Sequence, residues 1–289
     1  MKGLLNEFSV RTRVTVKTAR IAPAMEHERD TWDPAAYSRF AAERSRPFFD
    51  LLDLVTPIPG GRAVDLGCGT GELTRALHER TGARETLGID SSEAMLKKAK
   101  AHEGGGLRFE RGDLAAFAPS EPYDLVFSNA AFHWAPDHSA LLARLTKAVK
   151  PGGQFAFQVP DNFDHPSHRA AEAVAAEEPF ASALAGSAHP RNVLAPEAYA
   201  TILDRLGYGE QTVRLQVYGH HLESREDVVA WVEGSLLSEY RRRLSGELYE
   251  QFLQRYRERL FSMIPDERPF LFTFRRILVR ALYRSPSMT

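Results

Sequence analysis

A chain of 289 residues with 43% hydrophobic and 26% charged side chains is long enough to bury a large core and has an ordinary globular composition. Its 37 Lys and Arg against 38 Asp and Glu give a net charge of −1, which excludes bulk attraction to nucleic acid or an anionic membrane. One cysteine, Cys68, excludes an intrachain disulfide and a cysteine-based zinc cluster, and no apolar run reaches the roughly 20 residues that span a bilayer.

Residues 1–24 carry Lys2, Arg11, Arg13, Lys17 and Arg20 against Glu7, without the continuous apolar stretch of a secretory signal, and are expected to form a poorly ordered basic extension. The rest, 25–289, reads as one domain. Short apolar runs at 62–66, 86–90, 107–111, 124–128 and 153–159 alternate with amphipathic segments, the pattern of a parallel sheet covered by helices. Leu73, Ala76 and Leu77 share one helical face, and Leu141, Leu145 and Ala148 another, stopped by Pro151-Gly152-Gly153. Ser91 is placed to cap a helix with Glu93 in its first turn. Five such βα units predict a Rossmann-like, doubly wound α/β sheet.

Beyond residue 160 the texture becomes helical. Ser167 starts one predicted helix, and Pro196 another with the face Tyr199, Ile202, Leu203 and Leu206, ended by Gly207. Strands are expected at 211–218 and 270–282, and Leu248, Phe252, Tyr256, Leu260 and Ile264 mark a long helix between them. The prediction is a sheet of seven strands, the last antiparallel, with helical segments at about 161–207 and 224–265 forming a lid over the crevice at the carboxyl ends of the strands.

The chemistry concentrates at those carboxyl ends. Asp65-Leu66-Gly67-Cys68-Gly69-Thr70-Gly71 closes the first strand and opens a helix, and glycines there let the backbone approach a ligand closely. The third glycine of a dinucleotide fingerprint would fall at Glu72, an anion where a pyrophosphate would have to sit, which argues against NAD or FAD. Asp65 suits a cationic ligand instead. Asp90 ends the second strand, where an acidic residue can accept ribose hydroxyls, and Asp113 ends the third, where it can accept an adenine amino group; a helix cap and a turn aspartate are the plain alternatives.

These segments, with Gly88-Ile89-Asp90-Ser91-Ser92, Gly112-Asp113, Asp124–Ala130 followed by His133-Trp134, and Lys150-Pro151-Gly152-Gly153, resemble the cofactor motifs of the class I S-adenosylmethionine methyltransferases. The resemblance implies S-adenosylmethionine as cofactor, held by Asp65, Gly67, Gly69, Gly71, Asp90, Ser91, Asp113, Leu114 and Asn129 together with Tyr37 and Arg44, and Tyr37 and Trp32 are expected to close over it from the N-terminal helix. A narrower resemblance, to the trans-aconitate 2-methyltransferase family, runs through Trp32-Asp33-Pro34, Tyr37, Ala42–Pro47, Gln158–Asn162, Trp231-Val232, Arg255-Tyr256 and the strand at 274–279. It implies transfer of a methyl group to a carboxylate of a small polycarboxylic acid. The chain departs from that family at Gly219 and His221, where tyrosine and glutamine are expected.

A carboxylate acceptor is ionised near neutral pH and needs no general base, so the expectation is positioning and no single catalytic residue. Arg44, Arg46, His133, His220 and Arg276 are the candidate cations for its non-reacting carboxylates. Another small O, N or C acceptor is the alternative within the enzyme class, and a cofactor-binding subunit without turnover is the alternative outside it. No metal is expected, since His220-His221, His165 and His168 lack partners at ligand spacing. A cytoplasmic monomer or homodimer without nucleic-acid or membrane partners completes the expectation.

Overall fold

The computed structural model of the chain describes residues 41–185 and 191–284, so Trp32, Tyr37 and the basic extension at 1–24 lie outside the described residues. Strands β1 (Arg62–Leu66), β2 (Glu85–Asp90), β3 (Leu107–Arg111), β4 (Tyr123–Asn129), β5 (Val149–Pro160), β6 (Tyr208–Leu222) and β7 (Phe270–Tyr283) form one sheet in the order β3-β2-β1-β4-β5-β7-β6. β7 alone is antiparallel, pairing with both β5 and β6. β1 and β4 are nearly continuous apolar runs because both of their faces are covered, as parallel strands require.

On one face, helix α1 (Ala41–Leu52) lays Phe48, Leu51 and Leu52 against Ala63, Leu125, Phe127, Ala156 and Leu278, joined there by Leu77 of α2 (Glu72–Thr81). On the other, Leu141, Leu142 and Leu145 of α4 (His138–Thr146) cover Val64, Val126, Phe155 and Phe157. Between them in the chain, α3 (Glu93–Ala99) is capped by Ser92, one residue later than expected: the Ser92 hydroxyl accepts from the Met95 amide at 3.2 Å, while Ser91 is exposed. The expectation of five complete βα units also needs correction. The crossover from β3 to β4 runs without a helix.

β7 begins well before it meets β5. Pro160, the last residue of β5, pairs with Arg276, so the part of β7 from Phe270 to Arg275 projects with β6 past the carboxyl ends of the parallel strands. On this ribbon sits a second core, in which Phe270, Phe272, Phe274 and Leu222 meet α5 (Pro166–Ala175), α6 (Phe180–Ala183), α8 (Glu226–Glu233), α9 (Leu236–Arg243) and α10 (Gly246–Met263). α10 buries Tyr249, Phe252, Tyr256 and Leu260. The expected cap segment 161–207, however, divides. Helix α7 (Pro196–Arg205) belongs to the main sheet, because its Tyr199 and Leu203 are fully buried in the core of Phe157, Val279 and Tyr208. Among the described residues no helix is long and apolar enough to cross a membrane.

Candidate active site

The glycine loop after β1 is closed by protein on two sides and open on one. A Cβ on Gly67 would lie 2.3 Å from the Ala131 Cβ, and one on Gly71 would lie 2.7 Å from the Phe109 ring and 2.8 Å from the Ala99 Cβ. Gly69 has φ +56° and nothing within 4 Å of the Cβ it lacks, so of the three it is the one past which a ligand can approach the backbone. Gly67 combines the close contact with φ +86°, and both costs fall on any side chain placed there. Gly67→Ala is therefore expected to lose about 2–5 kcal/mol, the sum of left-handed strain and overpacking, measured as a lower urea midpoint at unchanged m-value.

Behind the loop lies Asp65, only 3% exposed. Its Oδ2 accepts from the Thr74 hydroxyl at 2.6 Å, and its Oδ1 is buried with no hydrogen-bond partner among the described residues. Burial is the main reason that its carboxyl is pushed up to about 7; the Thr74 bond opposes the rise and the Asp90 charge adds to it. Asp90 fixes the loop from β2: its two carboxylate oxygens accept from the amides of Gly69 (2.8 Å) and Ser92 (2.9 Å), and a carboxylate has lone pairs left for ribose hydroxyls. Asp113 stands beside it, since the Gly112 amide donates to the Asp90 carbonyl at 3.0 Å. It is exposed and accepts from the Ala115 amide at 2.7 Å, a turn role that leaves its second oxygen free of that bond. Leu114 is half-buried against the main core.

The sequence did not disclose how the ends of β4, β5 and β7 are joined. The Gln158 side-chain amide donates to Asn129 Oδ1 at 2.7 Å, and its Oε1 accepts from Arg276 Nη1 at 3.0 Å. Gln158 is 1% exposed and Arg276 8%. The one signal for Gln158 was a polar residue inside the apolar run Phe155-Ala156-Phe157-Gln158-Val159. Because Gln158 occupies the Asn129 oxygen, Asn129 presents its NH2 to whatever binds there. Directly after it Ala130 takes φ +52°, a left-handed turn that brings Ala131 against Gly67.

His133 sits in a single 3-10 turn, Phe132–Trp134, half-buried, its ring centroid 4.6 Å from that of Trp134. That turn is held from beneath. His138 Nε2 donates to the Phe132 carbonyl at 2.9 Å, so Nδ1 is the acceptor for the Tyr199 hydroxyl at 2.5 Å, which in turn accepts from the Leu194 amide at 3.2 Å. Burial holds the His138 pKa below its ordinary value and keeps this neutral form. Tyr199→Phe breaks both bonds at the hydroxyl and is expected to cost about 1–3 kcal/mol by urea unfolding.

His220 corrects an expectation. It is packed at 4.8 Å from the Trp231 ring and is 7% exposed; burial, then the Arg276 charge, with Arg46 adding and Glu43 opposing, push it down to about 4. It is neutral near pH 7 and supplies no cation. Arg46 lies with its guanidinium 5.5 Å from the Tyr218 ring centroid, and Tyr218 donates to Asp50 Oδ2 at 2.8 Å, which docks α1 on β6. Arg44 is carried by α1, and its side chain lies outside what the structure describes. Gly219 and His221 are exposed on the outward face of β6, opposite the buried Tyr218 and His220, so the two departures from the family pattern fall away from the site. Among the described residues no group of three or more His, Cys, Asp or Glu is placed to hold a metal.

A sheet of this order, with a glycine loop over a buried carboxylate at the end of β1, defines a Rossmann-like methyltransferase. The model of a methyltransferase domain matches residues 63–153. The fold is that of the YcgJ protein from Bacillus subtilis (TM-score 0.54 at 13% identity, covering 82% of this chain and 98% of that one). It is shared by Haemonchus contortus phosphoethanolamine N-methyltransferase 2 (TM-score 0.50 at 16% identity, 83% of this chain and 52% of that one). More specifically, the chain is 44% identical over 254 residues to trans-aconitate 2-methyltransferase of Deinococcus radiodurans, covering 86% of this chain and 96% of that protein. With the Streptomyces avermitilis enzyme of the same name it shares 39% over 260 residues, 87% and 96% of the two chains. The chain belongs to the trans-aconitate 2-methyltransferase family.

Proposed function

We propose that the protein transfers the methyl group of S-adenosylmethionine to a carboxylate of trans-aconitate, giving a methyl ester. The observation that carries this reading is a gradient of charge along the carboxyl ends of the strands. An acidic pair, Asp65 and Asp90, lies at β1 and β2; donors follow at β4 and β5; a buried guanidinium, Arg276, stands at β7. A ligand with a sulfonium and an ammonium group fits the first end, and a polycarboxylate the last.

The residues present fit the cofactor. The buried, partnerless Asp65 Oδ1 asks for a cation or a donor, and the open side of Gly69 admits a ligand to the loop amides. We assign the cofactor to Asp65, Gly67, Gly69, Gly71, Asp90, Ser91, Asp113, Leu114 and Asn129, with Tyr37 and Arg44 contributed by the N-terminal segment. When bound, S-adenosylmethionine supplies an electrophilic methyl group on a positively charged sulfur. The chain's own contribution is placement: Arg276, fixed by Gln158, holds an anion in a set orientation, and the helical core on the β6–β7 ribbon, acting as a lid, keeps water out. The acceptor oxygen is ionised, so no side chain has to remove a proton, and neutral His220 is consistent with that. The attacking charges cancel as the bond forms, which a dry site favours over a wet one. A cytoplasmic site of action with small molecules as the partners belongs to the same reading.

The test is direct. The purified chain is incubated with methyl-labelled S-adenosylmethionine and, separately, trans-aconitate, cis-aconitate, citrate and a neutral phenol. Label appearing in a base-labile ester of trans-aconitate supports the reading; label in the phenol alone would replace it.

A further inference from the structure

One buried polar atom near Arg276 has no part in the contacts described so far. Asn162 lies two residues past Pro160, about 7 Å further along the strand direction, and is 3% exposed. Pro160 is the register partner of Arg276, and the ladder continues for one step as the Asp161 amide donates to the Arg275 carbonyl at 2.9 Å. There the Asn162 side chain takes over. Its Oδ1 accepts from the Arg275 amide at 3.1 Å, which fixes the orientation of the side-chain amide, since only the oxygen can accept. Nδ2 is then forced to the other side, and it is buried without a hydrogen-bond partner among the described residues. Leaving such a donor unmet is costly, and buried donors are as a rule paired. A residue that served only to end the strand could do so without it.

The charges around Asn162 favour an anion. Arg276 is close by in the register, and the nearest acid in the chain, Asp161, is already engaged at 2.6 Å by Arg275, which as the neighbour of Arg276 on a strand points to the opposite face. Gln158 binds the Arg276 guanidinium and is itself bound to Asn129, and Asn162 sets a further side-chain amide two residues beyond the Pro160–Arg276 pair. One charge suffices to neutralise one carboxylate, and neutral amides bind a second with less desolvation than another cation would require.

We propose that Asn162 determines acceptor specificity: its side-chain NH2 donates to a non-reacting carboxylate of the polycarboxylic acid, beside the carboxylate held by Arg276. The assignment rests on the proposed acceptor class. It predicts that Asn162 separates tricarboxylates from dicarboxylates, which a strand-terminating residue would not do.

The experiment compares kcat/KM for trans-aconitate with that for a dicarboxylate lacking one of its carboxylates, in the wild type, Asn162→Asp and Asn162→Ala. The aspartate keeps the acceptor for the Arg275 amide and replaces the donor by a like charge. The alanine removes both. The expected result is a preference for the tricarboxylate that falls at least tenfold in both variants, more in the aspartate, through a raised acceptor KM. Affinity for S-adenosylhomocysteine, measured by calorimetry, should stay within about twofold and reports that the variants are folded. A parallel fall for both acceptors, leaving the preference unchanged, would overturn the role of Asn162 while leaving the acceptor class intact. Failure of the wild type to methylate any polycarboxylate, with S-adenosylhomocysteine still bound, would remove the acceptor class and this inference with it.

Discussion

Replacing Arg276 by alanine is expected to raise the KM for trans-aconitate by roughly 10- to 100-fold, the loss of one charge-assisted hydrogen bond worth about 1.5–3 kcal/mol. The side chain is suited to that role because its position is decided before any ligand arrives. It is 8% exposed, it donates to Gln158 Oε1 at 3.0 Å, and its guanidinium lies 4.9 Å from the Phe274 ring centroid. Gln158 is fixed in turn by Asn129. A preorganised guanidinium loses little freedom on binding, so most of its interaction appears as affinity. Arg276→Lys should recover only part of the loss, because an ammonium offers no planar fork to share between Gln158 and a carboxylate. Affinity for S-adenosylhomocysteine should change far less, since the carboxylates assigned to the cofactor lie at β1, β2 and the end of β3, and only Asn129 is linked to Arg276, through Gln158. Steady-state kinetics with calorimetric control check all three, and an unchanged acceptor KM in the alanine variant would remove Arg276 from the site.

The strands and the glycine loop could be read from the sequence because their signals are local. An apolar run bounded by turn residues marks a strand, and glycines in a row at its end mark a close approach of backbone. The Asn129–Gln158–Arg276 chain could not be read that way. Gln158 and Arg276 are 118 residues apart, and they meet only because β7 inserts between β5 and β6 in a register that no periodicity reveals. The same limit explains the divided cap. The stripe Tyr199, Leu203 announces a buried face, but whether that face covers the main sheet or the projecting ribbon depends on Phe157 and Tyr208, which come from distant strands. His220 shows the converse error. A histidine in a family-matching segment suggested a cation, and only the packing of Trp231 and the nearby Arg276 shows that the ring stays neutral. Ser91 and Ser92 are equivalent as caps by composition, and the choice of Ser92 follows from its amide being held by Asp90.

Asp65→Asn should weaken cofactor binding and, above pH 7, stabilise the cofactor-free protein. Both effects come from one carboxyl group. Its folded-state pKa, pushed up to about 7 mainly by burial, stands above the 3.8 of an unburied aspartate. A raised carboxyl pKa means that the folded state binds the extra proton, so the stability it contributes is complete below the unfolded pKa and is lost as pH rises through 7. The span between the two values corresponds to a penalty on the order of 4 kcal/mol at alkaline pH, carried by a buried anion with one unmatched oxygen. Asparagine keeps an oxygen for the Thr74 hydroxyl and carries no charge, so the variant should melt higher than the wild type at pH 8 and alike at pH 4. A cationic ligand meets that anion and draws the pKa down. Wild-type affinity for S-adenosylmethionine should therefore rise from pH 6 to pH 8, with about half a proton released per site near pH 7, read by calorimetry in two buffers of different ionisation enthalpy. In the asparagine variant the release should vanish and the affinity at pH 8 should fall at least tenfold. If the variant is no more stable than the wild type at pH 8, Asp65 is not the strained anion that its burial implies; if proton release persists in it, another group is the one titrating.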